Sequence, residues 1–230
     1  LLLEKSLELE VVPPSYSVVY PPSDARFRVL TPEERVQARK ALGVEEGPFL
    51  LNVKRLHPLG GQRYLIEAMP EILRHFPNAK VWLAGEGESR RELEALISER
   101  HLMDSVRLLG LVDNRELPRY YAAADLFVLP SKLEAFPTVA AEALACGTPV
   151  VTADHPGGKE IKELFPSDVD VVPSQDVEAL ALGIRNGLLS RKRCSEETRK
   201  RIEDEFRTDA AVEQYLALYK EALQTGGRSA

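Results

Sequence analysis

Short, predominantly apolar runs alternate with amphipathic segments of helix length along most of this chain. Nothing else in the sequence restricts its fold as much. The runs fall at residues 49–53, 80–84, 106–109, 126–129, 149–152 and 169–172. Between them lie helical patterns at 64–75, 89–100, 116–123, 138–146 and 157–164, and a sixth at 176–184 follows the last run. A strand whose consecutive residues are all apolar is covered on both faces, as in a parallel sheet flanked by helices. Strand–helix–strand repeats of this kind close as right-handed crossovers. The pattern predicts an α/β fold with a doubly wound parallel sheet of about six strands.

The flanks are read as follows. Residues 1–24 form an entry segment, in which Pro pairs at 13–14 and 21–22 bracket a short apolar strand at 17–20. Residues 32–42 read as a helix with Pro32 in its first turn and Gly43 just past its end. Residues 195–223 carry two more amphipathic helices, whose Leu, Tyr and Val spacing is that of core packing. The domain is expected to span 25–223, with a flexible tail at 224–230. The opening L-L-L-E-K-S-L-E-L-E is too short and too acidic for a signal peptide, and the absence of an initiating Met reads as a fragment.

Composition excludes several function classes. A formal net charge of −6 disfavours nucleic acid as a partner. The basic triplets at 191–193 and 199–201 read first as a solvated helix and its lead-in, and second as a contact with an anionic membrane surface. No run reaches the roughly 18 apolar residues of a spanning helix. Cys146 and Cys194 are the only cysteines, too few for a disulfide framework, which fits a reducing cytosol. A cytoplasmic location, peripheral to a membrane on the second reading, follows. His75, His101 and His155 lack metal-ligand spacing, so no metal is expected.

Ligands of open α/β sheets bind beyond the carboxyl ends of the strands. The turn after the first core strand has no G-x-G-x-x-G triplet, and the chain has no Walker A motif; dinucleotide dehydrogenases and P-loop enzymes are disfavoured. That turn instead carries Lys54, Arg55 and the pair Gly60–Gly61, a setting that suits phosphate. The second feature is E-A-F-P-T-V-A-A-E, where seven residues separate Glu134, in a loop after a strand, from Glu142, inside a helix. Thr138 is the expected N-cap of that helix. Helical side chains lean toward the N-terminus, so the Glu142 carboxylate is expected to reach back to the crevice.

In order along the chain stand R-L-x-x-x-G-G at 55–61, L-I-E-A at 65–68, A-G-E-G at 84–87 and L-G-L-V at 109–112. They continue with Y-A-A-A-D-L-F-V-L-P-S at 121–131, E-A-F-P-T-V-A-A-E-A at 134–143, A-C-G-T-P-V-V at 145–151 and G-G-K-E-I at 157–161. As an ordered set they resemble the retaining glycosyltransferases of the GT-B fold, in particular family 4. The resemblance is to the C-terminal, Rossmann-like, donor-binding domain. It implies a nucleoside-diphosphate-sugar donor, no metal, and an acceptor-binding N-terminal domain that this chain lacks. It gives Arg55 the diphosphate, Glu134 the transferred sugar and Glu142 the ribose hydroxyls. Gly61, Gly85, Gly87, Leu111, Val112, Phe136, Pro137, Thr138 and Val139 join them along the donor site, with Gly157 and Gly158 lining it. The chain departs from the pattern at Gly60, where lysine is usual. Arg63 ranks first as the replacement cation, ahead of Lys54 and His57. A non-catalytic nucleotide-sugar-binding or scaffolding domain is the alternative function; a nucleotide-sugar epimerase of the same fold gives no reason for the carboxylate pair.

Overall fold

The computed structural model describes residues 17–190 and 192–226. The first helix, α1 (Pro32–Leu42), shows how locally its bounds are written. Thr31 accepts the Glu34 N–H while the Glu34 carboxylate accepts the Thr31 N–H, Pro32 opens the first turn, and Gly43 closes the helix at φ 66°. There follow β1 (Phe49–Val53), α2 (Gln62–His75), β2 (Lys80–Ala84), α3 (Arg90–Glu99), β3 (Val106–Gly110) and α4 (Leu117–Ala123). The second half comprises β4 (Leu126–Leu129), α5 (Thr138–Ala145), β5 (Val150–Ala153), α6 (Pro156–Leu164), β6 (Val169–Val172), α7 (Val177–Ser190), α8 (Glu196–Glu205) and α9 (Thr208–Gly226).

The strands form one six-stranded sheet in the order β3-β2-β1-β4-β5-β6, with every pair parallel. Successive side chains on a strand point to opposite faces, and the sequence provides an apolar residue for each. Phe49 and Leu51 enter one buried cluster with Phe127 and Leu129, and Leu50 enters the other with Leu126 and Val128. Each such fully buried side chain contributes about 1.5–3 kcal/mol. Helices α2 and α7 pack together on one face; on the other, α4 meets α1 and α5, and α5 meets α8.

Asp125, just before β4, locks the two halves of the sheet at their amino ends. Its carboxylate accepts the Phe49 N–H at 2.8 Å, Arg35 at 2.6 Å and Arg39 at 2.9 Å. The strand order reverses between β1 and β4, so a crevice must open where their outgoing loops part.

The entry strand at 17–20 does not form. Those residues are coil, and Tyr20 instead places its ring 5.0 Å from Phe136 and 5.1 Å from Phe206. The Ser23 N–H donates to the Phe206 carbonyl at 2.7 Å, so the entry segment is tied to the α8–α9 junction rather than paired as a strand. The Pro pair at 13–14, Arg191 and residues 227–230 lie outside the described residues, and α9 runs on to Gly226.

Candidate functional site

The floor of the crevice is built by the β1–α2 connection. Leaving β1, the chain runs beside the exit of β2: the Lys54 N–H donates to the Ala84 carbonyl and the Leu56 N–H to the Glu86 carbonyl, both at 2.9 Å. A 3₁₀ turn, Pro58–Gly60, then delivers Gly61 at φ 70° as the residue before α2. A side chain at 61 would collide with the Pro130 carbonyl of the β4–α5 loop, so this close approach needs glycine for both space and conformation. Gln62 is 1 % exposed and donates its Nε2 to the Arg55 carbonyl at 3.0 Å. The exposed Arg55 guanidinium makes no hydrogen bond or ion pair among the described residues.

Glu134 stands in the loop after β4. Its backbone carbonyl accepts the Gly157 N–H at 3.0 Å, which joins this loop to the start of α6. Its carboxylate is 11 % exposed and lies 2.6 Å from the Lys54 ammonium. An ion pair so withdrawn from solvent has more weight than a surface pair.

Glu142 is the fifth residue of α5. Its carboxylate is half-buried and accepts the Tyr121 hydroxyl at 2.9 Å. Burial pushes its pKa above the ordinary carboxylate value, and the Tyr121 hydrogen bond pulls the other way. Tyr121 is fully buried, and burial together with the neighbouring carboxylate pushes its pKa well up; it is a fixed hydroxyl donor. Thr138 is not the N-cap of this helix. Pro137 takes that place, without a side-chain cap bond, and Thr138 is the exposed first residue.

His155 caps α6 from the floor of the crevice. Its Nδ1 accepts the Gly158 N–H at 2.9 Å, so the ring proton sits on Nε2, 3.2 Å from the Thr152 hydroxyl, which in turn donates to the Leu129 carbonyl. Burial lowers its pKa, opposed by nearby Glu134 and assisted by Lys54.

The remaining expected residues distribute as follows. Gly85, at φ 147°, donates its N–H to the Gly110 carbonyl at 2.8 Å and so ties together the loops leaving β2 and β3; Gly87 lies in the first of these. Leu111, beyond β3, is exposed, and Val112 packs on the core. The Phe136 ring is spent on the aromatic cluster with Tyr20 and Phe206, Pro137 is buried, and Val139 packs inward. Arg63 pairs with Glu67 at 3.1 Å and Glu92 at 2.6 Å, on a small cleft of about 130 Å³ between α2 and α3. His57 is turned to the Leu59 N–H and to Glu88. The structure thus brings Lys54, not Arg63, onto a carboxylate of the crevice. Tyr121 and Gln62 went unnoticed in the sequence: one reads as core and the other as a helix start, and neither spacing announces its contact.

Both cysteines are buried and free, and burial pushes their thiols up, Cys146 to about 12. Among the described residues no three His, Cys, Asp or Glu side chains gather as metal ligands. No helix there is long and apolar enough to cross a membrane. A larger hollow, about 480 Å³, lies at the opposite, amino edge of the sheet. Its Arg35, Arg39 and Arg193 are committed to the carbonyls at the end of α4 and to Asp125, which makes it a structural stitch.

Residues 34–207 match the family model described as glycosyl transferases group 1. The chain is 34 % identical over 201 residues to an uncharacterised glycosyltransferase of Methanocaldococcus jannaschii, covering 85 % of this chain and 51 % of the relative. It is also 34 % identical over 221 residues to the D-inositol 3-phosphate glycosyltransferase of Geodermatophilus obscurus, covering 92 % and 48 %. Among solved structures it superposes on sucrose-phosphate synthase from Thermosynechococcus elongatus with a TM-score of 0.83 at 28 % identity, covering 97 % of this chain and 57 % of that one. It superposes on Anabaena HepE in complex with UDP-glucose with a TM-score of 0.78 at 25 % identity, covering 89 % and 57 %. The chain spans about half the length of the curated relatives it matches. With six parallel strands arranged as in those GT-B enzymes and three-quarters of its length inside the family model, this chain belongs to the group 1 glycosyl transferases.

Proposed function

We propose that the crevice binds a nucleoside-diphosphate sugar and that this chain is the donor-binding half of a retaining, family 4 glycosyltransferase. The acceptor-binding half lies outside the chain. The observation that carries the reading is the set of groups at the β1/β4 switch: Arg55 with an uncommitted guanidinium, and the half-buried carboxylates of Glu134 and Glu142 on the neighbouring loop and helix.

The division of labour follows from charge. Guanidinium matches phosphate oxygens in a two-pronged contact, so Arg55 takes the diphosphate. Carboxylates accept from hydroxyls and repel phosphates, so Glu142 takes the ribose and Glu134 the transferred sugar. As the bond between the anomeric carbon and the β-phosphate oxygen breaks, its electron pair stays on the phosphate, where a fixed cation is worth about 2.7–4 kcal/mol. The acceptor oxygen bonds to the same face of the anomeric carbon and passes its proton to a phosphate oxygen. The likeness to HepE with UDP-glucose supports a nucleotide-sugar donor and leaves the base and sugar of this chain open to test.

The test is calorimetry with UDP, GDP, ADP and their glucose and mannose conjugates. One nucleotide series binds the wild-type chain, and Arg55→Ala weakens it about ten-fold or more, the worth of a charged hydrogen bond. Binding without transfer after an acceptor half is supplied would point to a non-catalytic binder. Binding of none refutes the reading.

A further inference from the structure

The proposed donor contacts leave Lys54 unused. It follows β1 directly, its side chain is 31 % exposed, and its ammonium lies 2.6 Å from Glu134 Oε1. The turn beside it has no side chain at Gly60, and Gln62 stands in the way of one: a Cβ at 60 would strike the side-chain amide of Gln62, which is buried and held by the Arg55 carbonyl, so a side chain there requires Gln62 to move. Gln62 has taken the volume from which a residue-60 side chain would rise. Apart from Arg55, the other basic side chains near the turn are committed elsewhere. Arg63 is bound by Glu67 and Glu92, His57 faces Glu88, and the Lys132 ammonium sits over the Tyr64 ring at 5.5 Å.

We propose that Lys54 is the second phosphate-binding cation of this site, and that it works by sharing itself between Glu134 and the donor. In the empty crevice it neutralises Glu134, which would otherwise be a withdrawn, unpaired carboxylate. An ammonium has three donors, and one ion pair leaves the others available. When a nucleoside diphosphate enters, the Lys54 chain directs a second N–H to a phosphate oxygen while the Glu134 carboxylate turns to the sugar hydroxyls. The cation at 54 and the side chain at 62 are therefore one substitution in physical terms: Gln62 closes the route from position 60, and Lys54 supplies the charge from the neighbouring strand end. The pairing also screens the anionic donor from Glu134, whose charge alone would oppose the diphosphate.

This inference rests on the donor-site reading, and its test separates the two. The full chain and its Lys54→Met and Lys54→Arg variants are titrated with the nucleoside diphosphate that the wild type binds and with the matching nucleoside, which has no phosphate. Lys54→Met is expected to lose about ten-fold in diphosphate affinity, as for one charged hydrogen bond, with nucleoside affinity unchanged. Lys54→Arg keeps most of the diphosphate affinity, and the slope of affinity against salt falls in Lys54→Met. Introducing Gly60→Lys into Lys54→Met restores diphosphate binding only when Gln62→Ala accompanies it. Diphosphate affinity unchanged in Lys54→Met overturns the inference. So does an equal loss for diphosphate and nucleoside, which would make Lys54 a purely structural partner of Glu134. A wild-type chain that binds neither ligand refutes the donor site itself, and this inference with it.

Discussion

Replacing Glu142 by glutamine separates what this residue does for the fold from what it does for a ligand. The carboxylate is half-buried in α5, takes one hydrogen bond from Tyr121, and has its pKa raised by burial. A carboxylate whose folded pKa lies above its unfolded value of about 4.5 favours the fold only below that value. The contribution is lost as pH rises through the folded pKa, so at neutral pH the ionised Glu142 is a net cost. Glutamine keeps the side-chain oxygen that accepts from Tyr121 and removes the charge. Glu142→Gln is therefore expected to be at least as stable as wild type at pH 7, with the difference shrinking as pH falls through the raised folded pKa and gone below about 4.5. Ribose binding moves the other way. A hydroxyl donating to a carboxylate is worth about 1.5–3 kcal/mol and to a neutral amide about 0.5–1.5. The loss of about 1 kcal/mol or slightly more per hydroxyl weakens nucleotide binding about five- to thirty-fold for one or two hydroxyls. The assays are urea unfolding across pH 4–8 and calorimetry with the bound nucleoside diphosphate, each against the 2′,3′-dideoxy analogue. The reasoning fails if Glu142→Gln binds the nucleotide as tightly as wild type. It fails equally if the variant is less stable at pH 7 than at pH 4 relative to wild type.

Four further outcomes are expected. Gly61→Ala meets both the left-handed backbone and the Pro130 carbonyl; it should cost about 2 kcal/mol or more in urea unfolding, against about 1–2 for the backbone alone. Asp125→Ala strands the Phe49 N–H and two guanidiniums, and about 2–3 kcal/mol of stability should vanish from the same measurement. His155 has its pKa lowered by burial, so its contribution is complete above the unfolded value of about 6.5 and is lost as pH falls below it. Thermal melts of His155→Ser, which retains an N-cap oxygen, should show a flatter acid slope than wild type. Cys146 and Cys194 should resist thiol reagents in the native chain and react on unfolding; fast native labelling would contradict their burial.

The sheet was legible because its four inner strands are buried on both faces. Runs such as F-L-L-N-V at 49–53 can satisfy two cores in only one way, and all six strands begin and end within a residue of the expected limits. Helix α1 was legible because Pro32 and Gly43 are local signals, to which the structure adds the Thr31–Glu34 capping box. The segment at 17–20 misled, since apolar character does not by itself fix a strand: Val18 is left exposed and only Tyr20 finds a packed place. Tyr20 is covered by two aromatic rings from distant positions, a tertiary choice with no local trace. Thr138 was misread because the chain enters α5 through Pro137, whose own geometry ends the loop one residue earlier. Within the site, Glu134, Glu142, Arg55 and Lys54 stood out from their motifs, whereas the roles of Tyr121 and Gln62 and the pairing of Lys54 with Glu134 needed coordinates. Their contacts are made 21, 7 and 80 residues away in sequence, and no period or cap marks them.

The location of nucleotide binding tests the central claim most directly. An isotope-labelled chain titrated with the nucleoside diphosphate should shift the amides of Gly61, Gly85, Glu134 and Gly157 together, since all four lie in the loops and helix starts at the carboxyl edge of the sheet. The amides of Gly47, Asp125 and Lys192, at the amino edge, should stay still. Shifts confined to that amino-edge hollow, or none with any nucleotide, would contradict a donor site at the β1/β4 switch.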